Sequence, residues 1–133
     1  MTTAESDLPA VKPSGSDGMT GVFRLEAEYW TIAYQGLVLR LRDTKGMRYL
    51  GALLQSPGHR FPAAALLPAA GEPAQNPDPE QARIAVTKRI KDAVRRIRQH
   101  HPSLGYHLAR VIKTGRHCVY LPDPERPVTW LTE

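Results

Sequence analysis

The stretch ARIAVTKRIKDAVRRIRQHHP, residues 82–102, limits the fold more than any other part of the chain. At about 100° per residue, Val86, Ile90, Ala93, Val94 and Ile97 gather into one arc about 100° wide, the stripe of a helix packed on one side. The spacing predicts a helix from Pro79 to about His100, ended by Pro102. Such a helix must lie on other elements to cover its stripe. Its remaining surface is cationic, with seven Lys and Arg between Arg83 and Arg98 against one acid, Asp92. The window therefore carries +7 − 1 = +6, while the whole chain, with 18 basic and 13 acidic residues, carries +5. Lys88, Lys91, Arg95 and Arg98 fall opposite the apolar arc, Ile84 and Thr87 lie beside them nearer the N-terminus, and Arg89 and Arg96 flank the stripe.

The partners of the helix are legible on both sides of it. VFRLEAEYWTIAYQGLVLRLR alternates apolar and polar residues in two runs separated by Gln35 and Gly36, the signature of a β-hairpin. Trp30, Ile32 and Tyr34 share one face of the first arm, and Leu37, Leu39 and Leu41 one face of the second. Val22 to Leu25 offers a further short strand. A first helix follows, with Asp43 or Thr44 as N-cap, Met47, Leu50, Leu53 and Leu54 at helical spacing, and Ser56, Pro57 and Gly58 as its stop. Pro62 and Pro68 bracket a short second helix. GEPAQNPDPE reads as a loop. After the basic helix, SLGYHLARVI is a turn or short helix, and VIKTGRHCVYLP forms a second hairpin around Thr114 and Gly115 with Lys113 and Arg116 at its tip. Val128 and Trp130 fit an edge strand, against which Pro124 and Pro127 count.

At 133 residues the chain has room for one domain with a core of its own. Residues 1–20 are poor in large apolar groups and are expected to be a disordered tail, leaving 21–133 as the folded domain. The N-terminus has neither the basic nor the apolar region of a secretory signal, and no run approaches the roughly 20 apolar residues of a membrane span. We expect a cytoplasmic protein with no membrane partner. The single cysteine, Cys118, fits a reducing compartment.

Metal, cofactor and catalytic chemistry are not expected. His100, His101, His107, His117 and Cys118 match no zinc spacing, because adjacent helical residues point about 100° apart and adjacent strand residues face opposite ways. Glu26 and Glu28 share one side of a strand, where solvated carboxylates are the ordinary case. PSGSDGMTG has glycines but no preceding strand, so it is a flexible leader and no phosphate loop. Trp30, Tyr34, Tyr49, Tyr106 and Tyr120 suggest core packing before a stacking platform for single strands.

A basic surface helix is often only a solvated face. Here, however, acids at pairing distance along the helix are scarce, which points to a polyanion, with nucleic acid first and an anionic membrane surface second. In a major groove about 12 Å wide, Ile84, Thr87, Lys88 and Lys91 would face bases. Arg83, Arg89, Arg95, Arg96, Arg98, Lys113 and Arg116 would meet phosphates.

The segments LRLRDTKGMRYLGALLQSPGHRF, ARIAVTKRIKDAVRRIRQHHPSLGYHL and TGRHCVYLPDP carry a resemblance. Together they look like the effector domains of OmpR-type bacterial response regulators. They resemble still more a winged-helix-like module at the C-terminus of large bacterial ATPase and regulatory proteins. The resemblance spans about residues 21–130 and implies an α+β winged helix-turn-helix: an N-terminal antiparallel sheet, three helices and a C-terminal β-hairpin wing. It implies a small bacterial transcription regulator on double-stranded DNA, acting as a homodimer or with a regulatory protein partner. The alternative is a protein-interaction adaptor on the same fold.

Overall fold

A computed structural model describes residues 19–72 and 78–132. Strands β1 (Met19–Glu26), β2 (Tyr29–Tyr34) and β3 (Leu37–Arg42) form an antiparallel meander in which Phe23 lies opposite Ile32 and Trp30 opposite Leu41. Gln35 and Gly36, at φ 52° and 80°, make the β2–β3 turn in the left-handed region that matches strand twist. Trp30, Ile32, Tyr34 and Leu41 are buried as the alternation predicts, but Leu37 is 56% exposed because it begins an edge strand beside that turn.

Helix α1 (Lys45–Gln55) is capped by Thr44, whose Oγ1 accepts from the Met47 N–H at 3.2 Å. The other cap candidate, Asp43, turns back to the sheet. It accepts from Trp30 Nε1–H at 2.8 Å and from Arg48 Nε–H at 2.9 Å. After β4 (Phe61–Pro62), residues Ala63–Ala70 form a 3-10 helix with Pro68 inside it. The expected loop of residues 71–80 falls partly on 73–77, outside the described residues.

Helix α2 (Pro79–His100) begins where Asp78 Oδ1 accepts from the Glu80 and Gln81 N–H groups at 2.9 and 3.3 Å. Its buried stripe is Ala82, Val86, Ile90, Ala93 and Ile97, with Val94 half-buried at its margin. Pro102 lies beyond the helix, which already stops at His100, and it opens α3 (Pro102–Val111), where a proline without an N–H fits the first turn. SLGYHLARVI is thus largely a helix of full packing value, burying Leu104, Leu108 and Val111. Among the described residues four helical segments stand where three were expected.

His101 links this corner to the sheet. Its Nδ1 accepts from the Leu104 N–H at 3.3 Å, so its proton sits on Nε2, which donates to the Tyr34 carbonyl oxygen at 2.9 Å.

Strands β5 (Ile112–Lys113) and β6 (His117–Tyr120) pair antiparallel, and β6 pairs on its other side with β4. The last strand, β7 (Val128–Leu131), corrects the expected all-antiparallel sheet. It lies parallel to β1, giving the order β3-β2-β1-β7. The pairing also takes up Met19 and Thr20, which were expected in the tail and stand opposite Val128 and Thr129. Residues 1–18 lie outside the described residues. Pro124 and Pro127 precede β7, so neither breaks the ladder. Its Trp130 meets Phe23 edge-on at 6.1 Å and stacks on Tyr34 at 5.9 Å.

The core lies between the inner face of the four-stranded sheet and the helices. Two contacts fix where α2 runs. A methyl group on Gly46 would come 2.1 Å from the Arg89 carbonyl oxygen, so α1 crosses α2 with backbones touching. On the other side Gly105 brings α3 equally close to Arg98. With Ala93 at the first crossing, these small residues hold α2 between its neighbours and turn its cationic side outward.

Candidate nucleic-acid interface

An α-helix of 22 residues is about 33 Å long. On the side of α2 away from the core, Ile84 is 54% exposed, and Lys88, Lys91, Arg95 and Arg98 are exposed in line below it. Among the described residues Lys88 and Lys91 have no ion pair. Arg95 Nη1 donates to Asp92 Oδ1 at 2.8 Å, and the Arg98 guanidinium lies 5.9 Å from the centre of the Tyr106 ring. Pairing at i, i+3 is thus less scarce than the charge run suggests, since Glu80 also binds Arg83.

Of the base-facing candidates, Ile84, Lys88 and Lys91 share this outward line. Thr87 sits at its edge, half-buried, with a hydroxyl oxygen out of solvent and without a hydrogen-bond partner among the described residues. The phosphate candidates divide into three groups. Arg95 and Arg98 belong to the outward line. Arg89 and Arg96 lie on the opposite flank of the helix, towards α1 and β3. There Arg89 Nη1 is 4.0 Å from Glu72 Oε1, itself bound to Lys45, and Arg96 Nη1 donates to the Arg42 carbonyl oxygen at 3.4 Å. Arg83 and Arg116 line one cleft at the N-terminal end of α2. Arg83 donates through Nε to Glu80 Oε1 at 3.1 Å. That hydrogen bond, with the charges of Arg83 and Arg116, holds the Glu80 carboxyl below its ordinary pKa.

The β5–β6 hairpin runs beside α2. Thr114 shares a groove with Lys91 and Arg95, and Lys113 and Arg116 are exposed. Spacing along α2 alone does not reveal this groove, because Leu108, Ala109, Ile112 and Thr114 supply its other wall. The only hint is that α3 follows α2 across a single residue, His101, which brings the two helices side by side.

Other candidates resolve into structural roles. Glu26 accepts from Thr31 Oγ1–H at 2.5 Å and lies 3.9 Å from Arg24, while Glu28 lies 4.0 Å from Arg42. Cys118 is buried, and burial pushes its thiol pKa up. Tyr34, Tyr49 and Tyr120 are buried, whereas Tyr106 is 63% exposed. Among the described residues no three of His, Cys, Asp and Glu gather closely enough to hold a metal ion, and no helix is long and apolar enough to cross a membrane.

Comparison with known proteins gives no relative: no protein-family model, curated protein or solved structure matches the chain.

Proposed function

We propose that this chain is a winged-helix protein that binds double-stranded DNA, a small bacterial transcription regulator whose α2 enters the major groove while the β5–β6 hairpin contacts the backbone as a wing. The observation that carries this reading is the outward line Lys88, Lys91, Arg95 and Arg98, along which two lysines have no acid partner among the described residues. Uncompensated like charges repel, and a polyanion relieves that cost. A helix about 10–12 Å across matches the major groove. Ile84 would offer methyl contact to thymine and Lys88 or Lys91 would reach guanine acceptors, while Arg95, Arg98, Lys113 and Arg116 hold phosphates. The order of sheet, α1, short helix, long helix and hairpin supports the winged-helix reading. α3, placed between long helix and hairpin, is its main departure. Selection from random duplexes tests the proposal: an enriched motif supports a regulator, an inverted repeat adds a dimer, and no enrichment overturns sequence reading.

One observation favours a second reading, a protein-interaction adaptor that docks through the sheet. Leu131, Val22, Ala33 and Val38 stand in register across all four strands on the face away from the helices, with Val38 68% and Leu131 46% exposed. Solvated sheet faces are ordinarily polar.

A further inference from the structure

Where α3 crosses α2, a groove of about 280 Å3 opens on the same side of the molecule as the cationic line. Its floor is apolar: Leu108 and Ile112 are buried there, and Val94 is half-buried. Its rim carries Lys91, Arg95 and Arg98, and no carboxylate lines it. A DNA backbone satisfies the rim and leaves the floor unused, because a phosphodiester chain has no apolar group to lower into a pit. The space lies just under the roughly 300–1,000 Å3 of small-molecule pockets and is open to solvent, which suits one large side chain on an extended ligand. Acid along the ligand and a single apolar anchor would complement rim and floor together.

We infer that this groove binds an acidic peptide segment of a partner protein, anchored by one large apolar side chain, and that its occupation excludes duplex DNA. The exclusion rests on the DNA reading above, since the peptide engages three of the four cations in the proposed groove-binding line. The peptide site itself does not depend on that reading. Occupation would act as a release mechanism: a partner rich in acid lowers DNA affinity, and by linkage DNA lowers affinity for the partner by the same factor.

The test uses the whole chain and two short fluorescein-labelled peptides of Asp and Glu, one with a central Phe and one with Ser in its place, read by anisotropy. Burying the ring predicts that the Phe peptide binds about tenfold or more tightly than the Ser peptide. Ala109→Trp fills the groove from an exposed position on α3, away from the hairpin. This variant should erase the preference for Phe while duplex affinity stays within about twofold. Unlabelled duplex should displace the Phe peptide. Equal affinity for the two peptides in the unaltered chain overturns the groove site, whatever the duplex does. A Phe preference without any duplex binding leaves the groove site standing and defeats the DNA reading. Simultaneous binding of peptide and duplex overturns the exclusion.

Discussion

Gly105 lies directly against Arg98: a methyl group on the glycine would come 2.3 Å from the arginine Cβ and 2.6 Å from its Cα. This close approach sets α3 beside the cationic line, where its Leu108 and Ala109 form one wall of the groove. Gly105→Ala must push the two helices apart. Such overpacking costs about 1–3 kcal/mol, read as a lower urea midpoint, and it should also remove the Phe preference of the peptide test. An unchanged midpoint would show that the crossing tolerates a side chain.

Asp43 and Thr44 are adjacent yet act on different elements, so their variants should separate. Thr44→Ala removes one helix cap and is expected to cost about 1 kcal/mol. Asp43→Ala leaves the Trp30 indole N–H, at a largely buried ring, without its acceptor, for about 1–3 kcal/mol. It should also shift the Trp30 fluorescence, which Thr44→Ala should not. Urea denaturation with emission spectra distinguishes the two. Equal losses and unchanged emission would contradict the assignment.

His107 gives the fold a pH dependence. It is buried with its ring stacked on Tyr34 at 5.6 Å, and its Nε2 has no hydrogen-bond partner among the described residues. Burial, aided by the charges of Arg110 and Arg126 and opposed by Asp123, pushes its pKa below the ordinary value. The native state therefore binds the proton less readily than the unfolded chain. This contribution to stability is complete above the unfolded value of about 6.5 and is lost as pH falls towards the depressed folded value. His107→Phe keeps the stack and removes the proton. Urea midpoints of the two chains should diverge progressively below about pH 6.5, the unaltered chain losing more. Parallel curves would contradict the burial argument.

Much of this architecture is legible in the sequence because period and punctuation are local. Alternation gives β2 and most of β3, and Pro79 gives the start of α2. The stripe Val86, Ile90, Ala93 and Ile97 gives its buried face. What escapes the sequence is decided between distant segments. Nothing near Val128 says that it will pair with Met19, so the parallel strand is invisible until the chain closes on itself. Pro102 reads locally as the stop of one helix, while its structural role is to begin the next. The site follows the same division. Periodicity puts Lys88, Lys91, Arg95 and Arg98 on the side away from the core, where they are exposed, whereas Arg89 and Arg96 lie near Glu72 and the Arg42 carbonyl, partners 17 and 54 residues away.

The most direct measurement of the central claim is the salt dependence of duplex affinity for the unaltered chain and for Arg98→Ala, Lys113→Ala, Arg116→Ala and Arg96→Ala. If Arg98, Lys113 and Arg116 meet phosphates, log K falls with log salt by about 0.9 per contact, and each of the first three variants flattens the slope by about that amount. Arg96→Ala, on the flank facing β3, should leave the slope unchanged. No duplex binding at low salt, or a slope that only Arg96→Ala alters, would contradict the account.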